Sequence, residues 1–264
     1  MGLTHISVAD HDTNSHINPF INEASNSGVL FIPAIEISCA VSVAKLSEIH
    51  ILCYFPRTKN KPWNSSGVKK VLTETFYARE SYISDMISRA DYSPNLWRDA
   101  RKILAAQNEI ANDVVPGTHI LKRYSKFSTS HEWDRIAEVR EKTRNFNQPG
   151  ISWPQFLEAT SVIEIMHEAG AITVLAHPGR YKLDEKLLKK MIYHLRRYGL
   201  DGIEAGYIPQ HNETIKMLSI AKEASCLSTI GSDNHNLNQS ITSCNYPNSL
   251  HQLGMLIPLS DRFL

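Results

Sequence analysis

Six histidine and acidic residues stand where apolar segments of the sequence end, or inside those segments. These residues are His11, Glu36, His50, His177, Asp233 and His235. Glu36 lies between isoleucines in IPAIEIS, where a buried carboxylate is unfavourable unless a cation or hydrogen bonds offset the cost. Imidazoles mixed with carboxylates suit divalent ions such as Zn²⁺, Mn²⁺ or Fe²⁺. Several such ligands at one site would hold two or more ions, which is a setting for hydroxide attack on phosphorus.

Each of these residues also has a purely structural interpretation. A buried histidine such as His50 in EIHILCYF can bond a backbone carbonyl, and an aspartate such as Asp233 can cap a turn. The position of the whole set favours a shared site instead. All six residues stand at or near the carboxyl ends of predicted strands, where α/β proteins place their chemistry.

Short apolar segments that alternate with helical ones must position these side chains. The predicted strands cover residues 4–9, 29–37, 48–55, 171–176, 202–206 and 227–230. Asp184 is a predicted cap for a helix over 185–198, which Gly199 ends. Another helix over 161–168 ends at Gly170, and a third begins after Asn212. This alternation indicates either an α/β barrel or a doubly wound sheet.

Residues 57–154 interrupt the alternation with a polar stretch that is rich in helix formers. They contain 17 Lys and Arg against 11 Asp and Glu, while the rest of the 264-residue chain contains 11 against 16. We therefore predict a barrel formed by 1–56 and 155–264, with a helical insertion lobe over 57–154. The positive charge has two interpretations: a solvated insertion, or a lobe that attracts a phosphorylated substrate.

The remaining composition indicates a cytoplasmic protein. The sequence has no apolar stretch of about 18 residues that could span a membrane, and its N-terminus does not resemble a signal peptide. Four cysteines without paired short spacing are expected to be reduced thiols. No membrane association and no protein partner are predicted.

Five motifs in one order resemble a known family. ADHDT, PAIEIS, EIHILCYF, VLAHPGRY and GSDNH resemble the PHP (polymerase and histidinol phosphatase) superfamily of metal-dependent phosphoesterases. The motif sequences most resemble those of the branch that dephosphorylates 3′,5′-nucleoside bisphosphates and trims RNA from the 5′ end. The resemblance implies a distorted (β/α)7 barrel with an inserted helical lobe, and a phosphorylated nucleotide or short RNA as ligand. It implies divalent metal cofactors, with Mn²⁺ the first expectation and Zn²⁺, Fe²⁺ or Mg²⁺ as alternatives.

The resemblance also assigns roles to the six residues. Glu36 would bridge two ions, with His50 and His177 completing one of the two sites. Asp233 and His235 would supply other ions, together with His11 of the T-D-H-D-type motif. Glu36 and Asp233 are the expected catalytic residues.

Two further residues are expected to bind substrate. Arg180, three residues after His177, is placed to hold a phosphate, although a surface salt bridge is an equal alternative. His119 in GTHILKRY resembles an insertion histidine that faces substrate. The family often has an arginine two residues earlier, where this chain has Gly117.

A departure from the family precedes ADHD. The family's first strand carries an H-x-H pair, followed by an Asp in a turn and a helix. This sequence shows no such segment, which would be a βα unit of roughly thirty residues. The primary hypothesis is a metal-dependent phosphoesterase. The alternatives are a catalytically impaired, N-terminally truncated homologue that binds metal or nucleotide without efficient turnover, and a fragment with a misassigned start.

Overall fold

The computed structural model describes residues 5–93, 95–107, 116, 134–139, 155–207 and 211–231. Two compact units contain them: Met1–Val71 with Leu157–Leu264 form the first, and Leu72–Phe156 form the second. The second unit overlaps the insertion predicted over residues 57–154. We call the first unit the barrel unit and the second the helical unit.

One mixed sheet forms the centre of the barrel unit. Its strands are β1 (His5–His11), β2 (Leu30–Val41), β3 (Leu46–Tyr54), β4 (Ile172–Leu175), β5 (Gly202–Tyr207) and β6 (Leu227–Gly231). The strands neighbour one another in sequence order. Every side chain from Phe31 to Cys39 of β2 is buried, which is the pattern of a strand covered on both faces. The predicted α/β class is confirmed.

Strand direction differs from the parallel arrangement that the apolar strands favoured. β3 runs antiparallel to both β2 and β4, whereas β1–β2, β4–β5 and β5–β6 are parallel pairs. The reason lies in the connection. A short turn over Ser42–Ala44 and a left-handed Lys45 (φ 54°) separate β2 from β3. A parallel crossover needs a dozen or more residues, so this connection permits only a hairpin.

Helices connect the strands in the described part of the chain. They are α1 (Ile17–Asn26), α2 (Ser66–Arg89), α3 (Leu96–Ala106), α4 (Ala159–Glu168), α5 (Glu185–Arg197) and α6 (His211–Glu223). Asp184 Oδ1 accepts a 2.8 Å hydrogen bond from Leu187 N–H at the start of α5, which confirms the predicted cap. Gly199 follows that helix with φ 105°, a conformation that favours glycine.

The helical unit has its own apolar core between α2 and α3. Trp97 of α3 is buried there, and the same cluster contains Ile83, Met86, Ile87, Ala90, Ala100, Leu104 and Ile136. Among the described residues, no helix combines the length and hydrophobicity needed to cross a membrane.

Candidate metal centre

Strand register places three of the predicted ligands on neighbouring positions of the sheet. His11, the last residue of β1, pairs with Glu36 of β2. His50 of β3 pairs with Ser38, two residues after Glu36. Since side chains alternate along a strand, Glu36 and Ser38 share one face of β2. His177 follows the end of β4 by two residues, so the four side chains can meet over the same part of the sheet.

Three imidazole nitrogens surround a single carboxylate oxygen. Glu36 Oε1 lies 2.8 Å from His50 Nδ1, 3.1 Å from His177 Nε2 and 3.9 Å from His11 Nδ1. His50 Nδ1 and His177 Nε2 lie 3.1 Å from each other. Glu36 and His177 are buried, and His11 and His50 are partly exposed. The centre is therefore enclosed on the Glu36 side and opens toward solvent beside His11.

The spacing fits a divalent ion. In a tetrahedral site with metal–ligand distances of about 2.1 Å, the ligand atoms lie about 3.4 Å apart. The distances here, 2.8–3.9 Å, bracket that value. His11, Glu36 and His50 also place one potential ligand atom each within 4.8 Å of one another. A set of three imidazoles and one carboxylate suits Zn²⁺, Mn²⁺ and Fe²⁺ better than the all-oxygen sites typical of Mg²⁺ or Ca²⁺.

The Glu36 carboxylate is ionised within this cluster. Burial alone would raise the pKa of Glu36, but hydrogen bonds with His177 and His50 outweigh burial and hold that pKa well below its usual range. Burial alone would lower the pKa of His50, yet Glu36 and Glu48 raise it to about 9. The metal-free centre therefore pairs the buried Glu36 carboxylate with a partly exposed His50 imidazolium at neutral pH. A divalent ion would replace the proton on His50 as the positive partner.

No family model matches the chain. The 5′-3′ exoribonuclease Rnm of Salmonella typhimurium is 28% identical over 233 residues, which covers 87% of this chain and 74% of that protein. The Escherichia coli protein of the same name is 26% identical over 244 residues, again covering 87% and 74%. A 5′-3′ exoribonuclease of Haemophilus influenzae is 26% identical over 239 residues, with coverage of 89% and 80%.

Solved structures agree on the fold. A chain from Bifidobacterium adolescentis described as a metal-dependent phosphoesterase superposes with a TM-score of 0.66 at 20% identity, covering 99% of this chain and 89% of its own. An amidohydrolase from Chromobacterium violaceum superposes with a TM-score of 0.65 at 18% identity, covering 89% and 78%. Together with the relatives named above, these folds confirm the resemblance to the PHP superfamily, whereas the absence of the H-x-H unit stays a prediction.

Not every residue predicted for a PHP-type site falls in the described part of the chain. Asp233, His235 and His119 lie outside the described residues, so their roles stay predictions. Arg180 is described: it is exposed in the short turn Pro178–Tyr181, and its N–H donates to the carbonyl of His177 at 2.9 Å. The turn thus keeps the arginine on the segment that carries His177.

Glu204 supports His177 and was not among the site residues predicted from the sequence. Its carboxylate is buried. His177 has left-handed backbone angles (φ 30°, ψ 54°), which are uncommon outside glycine. Its N–H donates to Glu204 Oε2 of β5 at 2.8 Å. Glu204 lies in the strand GIEAG, where a carboxylate among small and apolar residues is the same signal that identified Glu36. This carboxylate therefore holds the backbone that presents the His177 imidazole.

A tyrosine links the two strands that carry His50 and His177. The Tyr181 hydroxyl accepts a 2.9 Å hydrogen bond from His50 N–H and donates one of 2.9 Å to the carbonyl of Ala176. Burial strongly raises the pKa of Tyr181, so its proton stays in place to make this bridge. The motif HPGRY contains this residue, but only the fold shows which backbone groups it joins.

The turn after His11 is held by a second buried carboxylate. Asp12, with φ 54°, accepts hydrogen bonds from Ser38 N–H at 2.7 Å and from the Ser38 hydroxyl at 2.9 Å. Ser38 follows Glu36 by two residues, so Asp12 fastens the His11 turn to the strand that carries the central carboxylate. The acidic residues of ADHD therefore differ in role. Asp12 is buried within the protein, whereas Asp10 is exposed.

Proposed function

We propose that this protein is a metal-dependent phosphoesterase that cleaves phosphate esters of short RNA 5′ ends or of nucleotides, including 3′,5′-nucleoside bisphosphates. The convergence of three imidazole nitrogens on Glu36 Oε1 carries the proposal. The relatives named 5′-3′ exoribonuclease support RNA as the substrate class.

The residues of the centre would have different roles in such a reaction. A divalent ion in this set supplies Lewis acidity toward phosphoryl oxygens and lowers the pKa of water. His11, His50 and His177 would hold the ion, and Glu36 would add the negative charge that a cation site needs. Tyr181 and Glu204 keep the backbones of His50 and His177 in place. Because these contacts exist in the metal-free fold, the ligands need little rearrangement when an ion binds.

Positive charge within the barrel unit supports an anionic substrate. All the cationic side chains between residues 57 and 71 belong to the barrel unit, and this stretch contains no acidic residue. We call Arg57, Lys59, Lys61, Lys69 and Lys70 the basic segment. By contrast, residues 72–156 contain 12 Lys and Arg against 11 Asp and Glu. Most of the excess positive charge predicted for the insertion over 57–154 therefore lies in residues 57–71, which belong to the barrel unit.

The chain just after His11 contacts the stretch of sequence that carries the basic segment. Asn14 follows His11 by three residues, and its Nδ2 donates to the carbonyl of Trp63 at 2.9 Å and to Asn64 Oδ1 at 3.0 Å. Lys59, Lys61, Lys69 and Lys70 flank Trp63 and Asn64 in the sequence and are exposed. Their charge would raise the local concentration of a polyanion such as RNA near the centre. Arg180 is proposed as an additional phosphate ligand.

The proposed location is the cytoplasm. Within the described residues Cys39, Cys53 and Cys226 are free thiols, as expected in a reducing compartment. Fractionation of cells that express the tagged full chain tests the location.

Hydrolysis assays with defined substrates test the proposal. The purified chain, stripped of metal and reloaded with Mn²⁺, Zn²⁺ or Mg²⁺, is incubated with a 5′-phosphorylated RNA 12-mer or with a 3′,5′-nucleoside bisphosphate. We expect metal-dependent release of mononucleotide or phosphate. Glu36→Gln should lower kcat at least 100-fold, because it removes the central anionic ligand.

Asp201→Asn is the matched control. Asp201 forms an equally close pair with His167 (2.9 Å), but precedes β5 at the opposite end from the metal centre. This variant should retain parental kcat. Tight metal binding without turnover of either substrate would favour the catalytically impaired homologue instead, and equal activity of Glu36→Gln and the parent would contradict the proposed site.

A further inference from the structure

A groove between α2 and α3 combines aromatic and cationic side chains. It lies entirely within the helical unit and encloses about 500 Å³, a size typical of sites for small molecules or single nucleotides. Its walls include Phe76, Tyr77, Trp97, Arg98, Arg101 and Lys102. We call it the α2–α3 groove. It shares none of these residues with the metal centre.

The aromatic side of the groove offers a surface for stacking. Tyr77 is 60% exposed, which is unusual for a large aromatic side chain in a folded protein. Phe76 packs edge-on against both Tyr77 and Trp97, with ring centroids 5.9 Å and 6.1 Å away. The Tyr77 ring therefore packs against Phe76, which in turn packs against Trp97, while remaining accessible. An accessible, supported ring is a suitable platform for a nucleobase.

Trp97 forms the buried part of the aromatic wall. Trp97 is 1% exposed, and its indole Nε1 is buried without a hydrogen-bond partner among the described residues. Leaving such a donor unpaired typically costs about 1–3 kcal/mol. Trp97 therefore contributes its ring, and not its N–H, to the lining of the groove.

The cationic side of the groove comes from one helix face. Arg98, Arg101 and Lys102 lie three and four residues apart on α3, so their side chains share a face. Arg98 Nε donates to Glu80 Oε1 at 3.0 Å, which fixes one guanidinium at the rim. The Arg101 guanidinium lies 5.7 Å from the centre of the Trp97 ring, directly beside the aromatic wall. With one carboxylate among three cations, the lining has a net positive charge.

We infer that the α2–α3 groove binds single-stranded RNA, with a base stacked on Tyr77 and the adjoining phosphates held by Arg101 and Lys102. Aromatic rings beside cations match the chemistry of an unpaired nucleotide, because every base presents a π-face and every linkage a negative charge. A paired strand cannot offer its base faces in this way. The inference rests on the proposed function for the choice of RNA as the polymer, and it adds a second RNA contact that is separate from the metal centre.

Equilibrium binding in the absence of metal tests the groove without requiring catalysis. Fluorescence anisotropy of a labelled single-stranded RNA 12-mer is measured with the full chain carrying Glu36→Gln in EDTA. Adding Tyr77→Ala should weaken binding roughly tenfold, and Tyr77→Trp should restore it. Arg101→Ala combined with Lys102→Ala should lower the slope of log Kd against log salt by about 1.4, at about 0.7 for each phosphate contact on a single strand.

Control variants separate the groove from general effects. Tyr193→Ala removes a tyrosine of α5 that is 41% exposed, and Arg89→Ala removes a cation of α2 outside the groove. Both should bind RNA like the parent. Circular dichroism and thermal unfolding confirm folding, and since Tyr77 is largely exposed its replacement should leave both unchanged.

The outcomes decide the inference independently of the proposed function. Unchanged RNA affinity in Tyr77→Ala and in the double variant would overturn it. Equal competition by duplex RNA or by an acidic peptide would also overturn it, because neither presents unpaired bases. If the groove variants weaken binding while the parent chain loaded with Mn²⁺ fails to cleave RNA, the groove stands and the proposed function falls.

Discussion

The buried carboxylate of Glu204 is predicted to set the affinity of the metal centre by positioning His177. Glu204 Oε2 accepts the His177 N–H at 2.8 Å, and both residues are buried. The left-handed backbone of His177 (φ 30°, ψ 54°) is an unfavourable conformation that needs support. Glu204→Gln keeps the size of the side chain and an acceptor oxygen, but removes the negative charge. The substitution therefore weakens this hydrogen bond without opening a cavity.

The size of the effect follows from two opposing contributions. A residue held in a sparsely populated backbone conformation costs about 1–3 kcal/mol. A hydrogen bond to a charged group contributes about 1.5–3 kcal/mol, against about 0.5–1.5 kcal/mol for a neutral one. Losing the charge thus removes about 1 kcal/mol of the support for His177. Since about 1.4 kcal/mol corresponds to tenfold in affinity, Mn²⁺ should bind Glu204→Gln roughly five- to tenfold more weakly.

Isothermal titration calorimetry with MnCl₂ measures this change. Gly231→Ala provides an independent route, because a Cβ at Gly231 would overlap Glu204 Oε1 and displace the carboxylate. Asp201→Asn, a carboxylate change just before the same strand β5, is the control and should bind Mn²⁺ like the parent. If both Glu204→Gln and Gly231→Ala bind Mn²⁺ with unchanged Kd while remaining folded, the positioning role of Glu204 is refuted.

Three further predictions concern the metal and the substrate. Mn²⁺ at 100 times its Kd should raise the free energy of unfolding of the parent chain by about 2.7 kcal/mol, or its Tm by roughly 5–10 °C. Glu36→Gln should abolish this Tm shift in differential scanning fluorimetry. A full shift in the variant would contradict the assignment of Glu36. Because burial is outweighed by Glu36 and Glu48, which raise the pKa of metal-free His50 to about 9, a proton must leave when metal binds. Mn²⁺ affinity should therefore rise with pH up to about 9 and level off above it. Calorimetry in buffers of different ionisation enthalpy should detect the released proton, and a flat profile would argue against His50 as a ligand. Replacing the four lysines of the basic segment with alanine should reduce the salt dependence of KM for the RNA 12-mer, whereas an unchanged dependence would show that the segment does not contact substrate.

Local pattern was sufficient to locate most strands and helix ends. The predicted strand over 202–206 matches Gly202–Tyr207, and that over 227–230 matches Leu227–Gly231. Asp184 and Gly199 marked the limits of α5 because a side-chain cap and a positive φ are properties of single residues and their immediate neighbours. The relation between β2 and β3 was not visible in the same way. Both read as buried apolar strands, and their antiparallel pairing depends on a four-residue connection.

The candidate site could be predicted where a charged or polar residue stands inside an apolar segment. A carboxylate between isoleucines at Glu36 and a histidine inside EIHILCYF require partners in any fold that buries them, so the sequence alone indicated that they belong together. The pattern could not indicate which atoms would meet. Pairing of His11 with Glu36, and of His50 with Ser38, follows from strand register.

The supporting residues show most clearly what the tertiary structure adds. The types of Glu204, Tyr181 and Asp12 are written in the sequence, but their roles depend on backbone groups of distant residues: His177 N–H, His50 N–H and Ser38 N–H. Every residue has a backbone N–H, so no composition or spacing distinguishes the one that will be bonded. The sequence by itself determined which side chains have the chemistry of metal ligands. Their geometry was decided only when parallel and antiparallel strand pairs brought those N–H groups within reach of buried acceptors.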